Sequence, residues 1–288
     1  MRKSRIKRIV AQLMAVALLC TQIPQMNKEV YADTIEKRMD AVESIVLGGA
    51  HSAAVTKNGD LYCWGENSYG AVGNGTTANQ LTPTKVLSNI KEVSLGNNYS
   101  LAVTKNGNLY CWGRKRWCGL GEAETEIGQL TPVKVLSNVD NIYTGFTHSA
   151  AVTKNGDMYC WGEISSKEFQ LTPVKVLSDV KSVSLSWFHD AAVTQTGDLY
   201  CWGSNDCGCI GIGMGVTTNQ LTPVKVMSNI ESVSLAANFS AAVTKNSNVY
   251  CWGDNSSGQI GIGTTTNKFT PTKIELNIQD GSNNSGDS

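Results

Sequence analysis

Three histidines share one position of a repeated pattern, and histidine can serve as a metal ligand or a general base. They are His51, His148 and His189, and Tyr99 and Phe239 occupy the same position in two further copies. A zinc site needs its ligand nitrogens about 2.0–2.1 Å from one ion. Equivalent residues on separate repeats meet that closely only at the narrowest part of a central channel. We therefore predict a packing role, with the ring tip hydrogen-bonding a neighbouring strand, and no metal site.

The cysteines are the second set that could carry chemistry, because eight of the nine follow residue 32. Five of the eight are copies of one strand position. A disulfide needs Cα atoms within about 7 Å, so we predict that these five are buried free thiols, behaving as small hydrophobes. Loops carry the other three. Cys118 aligns with Gly70, Gly208 and Gly258, while Cys207 and Cys209 flank Gly208 and are too few for a structural zinc site.

No motif for a phosphate site or for catalysis accompanies these residues. The glycine-rich segments at 211–215 and 261–265 are followed by strand patterns, whereas a phosphate loop needs a following helix. Asp190 replaces the serine of the other copies, but it has no second carboxylate of the kind that a glycosidase uses. Neither G-x-S-x-G nor H-E-x-x-H occurs. The sequence thus predicts a non-enzymatic protein without cofactor or metal.

The element that positions all these residues is a Cys-Trp-Gly motif that occurs five times, at steps of 48, 49, 41 and 50 residues. Repeats of this period indicate a solenoid or a propeller. The copies are Cys63, Trp64 and Gly65; Cys111, Trp112 and Gly113; Cys160, Trp161 and Gly162; Cys201, Trp202 and Gly203; and Cys251, Trp252 and Gly253. Because strand side chains alternate, Cys and Trp point to opposite faces of the sheet. We predict a structural role for all fifteen.

Each unit is expected to form four short strands, at 44–48, 51–56, 60–65 and 82–87 in the first copy. Asn58 and Gly59 between the second and third strands predict a type I′ hairpin turn. No segment has helical periodicity, so we predict an all-β propeller of about five four-stranded blades. Two closures fit the sequence. Either the amino-terminal strands complete the last blade of a closed ring, or the blades form an open arc.

The unit resembles the repeat of the regulator of chromosome condensation family. Its Gly-x-x-His-Ser strand, its Trp-Gly strand end and its glycine-rich loop all match, across residues 42–276. The resemblance, strongest to the bacterial secreted version, implies a β-propeller that binds proteins. Secreted members include an inhibitor of β-lactamases, and eukaryotic members act in guanine-nucleotide exchange. The founding members have seven blades, whereas this chain has five copies of the repeat.

The amino terminus resembles an export signal. A basic segment precedes the apolar run 9–19, and Val30, Tyr31 and Ala32 suit a signal peptidase, so we predict cleavage after Ala32. Residues 1–32 hold six of the 24 basic and one of the 24 acidic side chains, which leaves 18 and 23, a net charge of −5. A chain with this excess of acidic residues lacks the basic surface that is typical of nucleic-acid-binding proteins. We expect a linker at 33–41, the repeats at 42–276 and a disordered tail at 277–288.

Positions where the copies differ are the candidate binding surface. The loop after Trp-Gly in the second copy is basic and aromatic, and the fourth copy has two aromatics before its histidine; tryptophan and arginine are enriched at interface hot spots. The predicted partner-binding residues are Tyr69, Arg114, Lys115, Arg116, Trp117, Trp187 and Phe188.

The function expected from the sequence is a secreted, monomeric module that binds a protein, with inhibition as one form of that role. It would bind neither nucleic acid nor, once the signal is cleaved, membrane. Two alternatives stay open: guanine-nucleotide exchange, which the family resemblance suggests, and glycan binding.

Overall fold

The structure is a computed structural model that describes residues 41–121, 127–165, 168–213 and 217–276. The predicted signal peptide, the predicted linker up to residue 40 and the predicted tail lie outside the described residues. Contacts divide the chain into residues 1–41 and 42–288, and every strand described here belongs to the second unit.

Five antiparallel four-stranded sheets form that unit. The first comprises β1 (Val42–Leu47), β2 (His51–Thr56), β3 (Leu61–Gly65) and β4 (Gln80–Leu87). The second comprises β5 (Ile90–Leu95), β6 (Tyr99–Thr104), β7 (Leu109–Gly113) and β8 (Gln129–Leu136), with a 3₁₀ helix at Lys115–Trp117. The third comprises β9 (Val139–Thr144), β10 (His148–Thr153), β11 (Met158–Ser165) and β12 (Glu168–Leu177). The fourth comprises β13 (Val180–Leu185), β14 (His189–Thr194), β15 (Leu199–Gly203) and β16 (Gln220–Met227). The fifth comprises β17 (Ile230–Leu235), β18 (Phe239–Thr244), β19 (Val249–Gly253) and β20 (Lys268–Ile274).

The hairpin between the second and third strands differs from the predicted type I′ turn. Gly59 has a φ of +85°, but Asn58 does not have a positive φ. The Gly59 N–H donates to the Thr56 carbonyl at 2.8 Å, which makes a three-residue loop with glycine in the left-handed position. The Thr56 hydroxyl accepts the Asp60 N–H at 3.0 Å and braces this longer loop. The hairpin was therefore correctly located and its turn type was wrong.

Each sheet is a contiguous meander, so the predicted completion of the last blade by the amino-terminal strands is wrong. β1 and β2 pair with β3 in the first sheet, and the fifth sheet uses β17–β20. Only residues 88 and 89 separate β4 from β5, and Asn89 takes a φ of +61° there. A connection this short places each sheet beside the next.

Four apolar clusters lie in the four contacts between successive sheets. In each contact the Cys face of one sheet, which also carries Leu or, in the third sheet, Met158, meets the Trp face of the next, as Cys63 and Trp112 do between the first two sheets. Trp112, Trp161, Trp202 and Trp252 are fully buried, whereas Trp64 is half-buried. No cluster among the described residues joins the fifth sheet to the first. The sheets therefore form an open arc.

The end sheets show the consequence of this openness. Every residue of β6, β10 and β14 is buried, whereas buried and half-buried residues alternate along β2 and, in opposite phase, along β18. Of the five repeated cysteines, Cys63, Cys111 and Cys201 are buried, and Cys160 and Cys251 are half-buried. The prediction of free thiols at this position agrees with the structure, and the prediction of burial fails at Cys160 and Cys251.

Candidate functional site

The variable loops meet at one end of the arc. Strand direction alternates in an antiparallel sheet, so the loop between the first and second strands lies at the same end as the loop between the third and fourth. Backbone hydrogen bonds connect the two loops: Arg114 N–H donates to the Asn98 carbonyl at 2.9 Å, and Ser204 N–H to the Phe188 carbonyl at 2.8 Å. We call this end of the arc the loop face.

A cavity of about 330 Å³ opens where the first turns of the five sheets converge. Backbone hydrogen bonds link the turns of the first three sheets. Gly49 N–H donates to the Gly96 carbonyl at 3.2 Å, and Asn97 N–H donates to the Phe146 carbonyl at 3.3 Å. These bonds hold three of the turns together at the cavity. Phe146 and Trp187 are among the side chains that line it.

Three exposed aromatic side chains lie together, two of which line this cavity, and we call the three the aromatic rim. Phe146 is 43% exposed, Trp187 55% and Phe188 49%. The ring centroids of Phe146 and Trp187 are 5.5 Å apart, and those of Trp187 and Phe188 are 6.3 Å apart. The structure therefore brings together two sequence-predicted residues, Trp187 and Phe188.

Phe146 is the member of the rim that the sequence reasoning missed. It precedes His148 by two residues, as Trp187 precedes His189. The shared spacing to histidine could have indicated that Phe146 and Trp187 are equivalent. A single aromatic residue in a loop does not predict a binding surface unless its neighbour in the next sheet is known.

The basic and aromatic loop of the second sheet is a separate cluster with a different structure from the one expected. The Arg114 guanidinium lies 5.0 Å from the centroid of the Tyr69 ring and 4.5 Å from that of Trp117. Trp117 is only 5% exposed and packs edge-on against Tyr99 at 5.8 Å. Trp117 is thus a core residue, and the prediction that it contacts a partner directly is wrong.

The other basic residues of this loop are also partly covered. Arg114, Lys115 and Arg116 are half-buried, and the Arg116 guanidinium stacks over Phe169 at 4.4 Å. Cation–π contacts of this kind attach the loop to the sheets on both sides of it. These residues hold the loop between neighbouring sheets and do not project from it as an extended basic patch.

Loop length explains why Trp117 points inward. Gly119 lies against Trp161 as Gly73 lies against Trp112 and Gly211 against Trp252. Counting back from these glycines places Trp117 at the position of Ala71 and Cys118 at that of Val72. The alignment of Cys118 with Gly70 was therefore wrong, because the second loop is two residues shorter before its glycine.

The histidines are ties between sheets, as their predicted packing role requires. His51 Nε2 lies 2.8 Å from Ser100 Oγ, and His189 Nε2 lies 2.9 Å from Ser240 Oγ. Burial lowers the pKa of His51 and of His189 to about 4. Each ring therefore stays neutral near neutral pH and bonds to the next sheet.

His148 is different because its partner is Asp190. His148 Nε2 lies 2.7 Å from Asp190 Oδ1, and both side chains are less than a tenth exposed. Burial lowers the pKa of His148, but the charge and hydrogen bond of Asp190 outweigh burial and raise it overall. Asp190, which stood out in the sequence, thus belongs to a buried ion pair between the third and fourth sheets.

The part of the chain that the structure describes contains neither a cluster of metal ligands nor a membrane-spanning helix. No group of three or more His, Cys, Asp or Glu side chains there could hold a metal ion. Within the same residues, no helix has the length and apolar character that a membrane span needs.

A family model described as an RCC1-like domain matches residues 19–286. The chain belongs to this family. Among curated relatives, human E3 ubiquitin-protein ligase HERC2 is 49% identical over 45 residues, which are 16% of this chain and 1% of that protein. Ultraviolet-B receptor UVR8 of Arabidopsis thaliana is 43% identical over 47 residues, 16% of this chain and 11% of that protein. The chain therefore matches about one repeat, a small part of each relative.

Solved structures extend the RCC1-like match to most of the fold. Human WBSCR16 is 20% identical, with a TM-score of 0.64, and the match covers 82% of this chain and 67% of that one. Yeast RCC1 (Prp20), solved bound to Kap60, is 20% identical, with a TM-score of 0.59 and coverage of 82% and 75%. At this identity the likeness concerns the fold alone. It shows that the five sheets are blades of an RCC1-like β-propeller.

Proposed function

We propose that this RCC1-like protein is a secreted, non-enzymatic binding module and that the aromatic rim on the loop face contacts a protein partner. The observation that carries the proposal is the adjacency of three exposed aromatic rings, Phe146, Trp187 and Phe188, beside a cavity. Clustered exposed apolar side chains typify interaction sites, and tryptophan is enriched among the residues that dominate binding energy. Inhibition of a partner enzyme is one form that such binding would take.

The rim is also mechanically suited to binding. Backbone hydrogen bonds connect the turn of Phe146 to the second sheet and the turn of Phe188 to another loop of its own sheet, so little ordering of the loops is required when a partner docks. The fold adds support of a general kind, because yeast RCC1 binds Kap60. Kap60 is the partner of the yeast protein. From the exposed aromatic rim of this chain we infer a protein partner with a protruding apolar surface.

The test is an affinity capture with residues 33–288 as bait, against culture supernatant and host-cell extract. A second bait carries Phe146→Ala and Trp187→Ala. A matched control carries Val174→Ala, which truncates a side chain of similar exposure (43%) on an outer strand. We expect a saturable partner that the control retains and that the double variant binds at least about tenfold more weakly. Equal binding by all three baits would exclude the rim as the contact.

A glycan is the second candidate ligand, because Trp187 is exposed beside a cavity that Asn97 also lines. A sugar ring could stack on the indole while the amide bonds its hydroxyls. Titration with oligosaccharides would then change the fluorescence of the wild-type protein and not that of Trp187→Phe. Capture of a protein with no response to sugars would favour the first proposal.

We also propose that the chain is exported and loses residues 1–32. The support is the order of basic segment, apolar run and small residues described above. Protein recovered from the culture medium should begin at Asp33 when its amino terminus is sequenced. Val16→Arg, which places a charge inside the apolar run, should keep the full-length chain in the cell. Export of that variant would contradict the proposal.

A further inference from the structure

Two thiols meet in the core between the second and third sheets. Cys111 on β7 and Cys118, directly after the 3₁₀ helix, have no exposed surface and belong to the same apolar cluster. After burial, the Cys118 thiol is the next cause of the raised pKa of the Cys111 thiol. Eight of the chain's cysteines lie in the described residues and all eight are free thiols in this structure.

The pair exists because the second sheet changes a residue that faces the repeated cysteine. In the first sheet Val72 packs in the same cluster as Cys63, and in the fourth sheet Ile210 packs in the same cluster as Cys201. Cys118 occupies the corresponding position of the second sheet, so a thiol takes the place of a branched aliphatic side chain. The second loop therefore places a thiol in the same buried cluster as the repeated cysteine of its own sheet.

We propose that Cys111 and Cys118 form a disulfide bond when the chain folds in the presence of an external disulfide. The thiolate of one cysteine attacks the external disulfide, forms a mixed disulfide and releases one small thiolate. The second cysteine, deprotonated, attacks the mixed disulfide at the protein sulfur and releases the other. The two protein thiols are oxidised, the external disulfide is reduced to two thiols, and the two protons pass to the leaving thiolates.

The geometry favours formation during folding. In the folded protein both sulfurs are shielded from solvent, and burial raises the pKa of the Cys111 thiol well above its usual range. Since the thiolate is the attacking species, exchange in the folded core is slow. The partly folded chain exposes both sulfurs, and only six residues separate them in sequence.

The bond would join the 3₁₀ helix to β7. This helix carries Trp117, and the preceding Arg114 stacks on Tyr69 of the first sheet. A disulfide would therefore hold the loop that links the first, second and third sheets on the loop face. The inference concerns this loop and does not depend on which ligand the aromatic rim binds.

The experiment is oxidative refolding of residues 33–288 with a mixture of oxidised and reduced glutathione. The refolded protein is acid-quenched, unfolded in urea and alkylated with iodoacetamide, and its intact mass counts the free thiols. We expect six alkylated cysteines, against eight when a reductant is added first. Arg114, Lys115 and Arg116 lie between the two cysteines, so trypsin cuts there. Peptides 106–114 and 117–134 should then remain joined until reduction separates them.

Two variants give the matched controls. Cys118→Val copies the residue of the first sheet and should leave all seven remaining cysteines free. Cys207→Ser removes a half-buried loop cysteine and should keep the linked peptides, with five alkylated positions. Eight alkylated cysteines in the refolded wild type, or peptide 117–134 linked to any peptide other than 106–114, would overturn the proposal. This readout on the wild type holds even if a variant fails to fold.

Discussion

Replacing Asp190 with serine should reverse the pH dependence that His148 gives to stability. A serine at this position accepts a hydrogen bond from histidine without carrying charge, as Ser100 does from His51. Ser100 and Ser240 also donate to a carbonyl of the preceding loop, at 2.8 Å in both cases. The loop of the third sheet is too short to supply such a carbonyl, because β11 ends at residue 165 and β12 starts at 168. An acidic side chain is therefore tolerated at position 190.

The size of the effect follows from the pKa values of the two serine-paired histidines. In Asp190→Ser, His148 should resemble His51 and His189, whose pKa burial lowers to about 4. Against an unfolded value of about 6.5, that shift removes about 2 kcal/mol of stability between pH 8 and pH 5. In the wild type the pKa of His148 is raised, so its contribution is fully present below about pH 6.5 and is lost as the pH rises through the folded pKa.

The assay is urea unfolding of both proteins at the two pH values. The deficit in free energy of unfolding of Asp190→Ser relative to wild type should be larger at pH 5 than at pH 8 by at least about 2 kcal/mol. His51 titrates in both proteins and cancels. Asp190 also raises the pKa of His189, but with a value of about 4 that ring is largely neutral at pH 5 and pH 8. Asp206→Ser, which removes an exposed carboxylate of the same sheet, should show the same small difference at both pH values. A deficit for Asp190→Ser that does not change with pH would refute the reasoning.

Urea unfolding tests three further expectations. Trp117→Ala should lose about 3–5 kcal/mol because the ring is buried, whereas Trp187→Ala should stay within about 0.5 kcal/mol because its ring is exposed. Asn67→Ala should lose at least about 2 kcal/mol, because its buried amide accepts from one backbone N–H and donates to two backbone carbonyls. Gly119→Ala should lose more than Gly121→Ala: both have positive φ, but the new Cβ at 119 lies 2.8 Å from the Trp161 ring, against 3.4 Å from Thr172 at 121. Equal losses within either pair, or a stable Asn67→Ala, would contradict the packing described.

The fold was predictable from the sequence because its signals are local. Alternation of side chains along a strand and the hairpin turns, which carry glycine in four copies and Ser247 in the fifth, act within a few residues, and they located the strands of all five sheets. The facing of Cys and Trp to opposite sides followed from the same alternation. The predicted turn type was wrong because the loop depends on a side chain: the Thr56 hydroxyl accepts a hydrogen bond from the Asp60 N–H across the loop.

The candidate site was only partly predictable because its members come from different repeats. Trp187 and Phe188 were identified as departures from the repeat, yet their neighbour Phe146 lies about 40 residues away in the chain. Trp117 looked like a surface residue from its loop composition. The indole points into the core because few residues separate the end of β7 from Gly119. This spacing can be interpreted only when Gly119 is known to lie against Trp161.

The sequence by itself determined the repeat, the all-β meander and the side of each strand on which cysteine and tryptophan lie, because these depend on neighbours along the chain. Only the tertiary structure decided which sheet faces are covered. Trp64 and Trp112 have the same sequence context, but Trp112 has a preceding sheet to pack against and Trp64 has none. The His148–Asp190 pair and the burial of Cys111 and Cys118 in one cluster were decided in the same way, because identical motifs meet different residues in each contact between sheets.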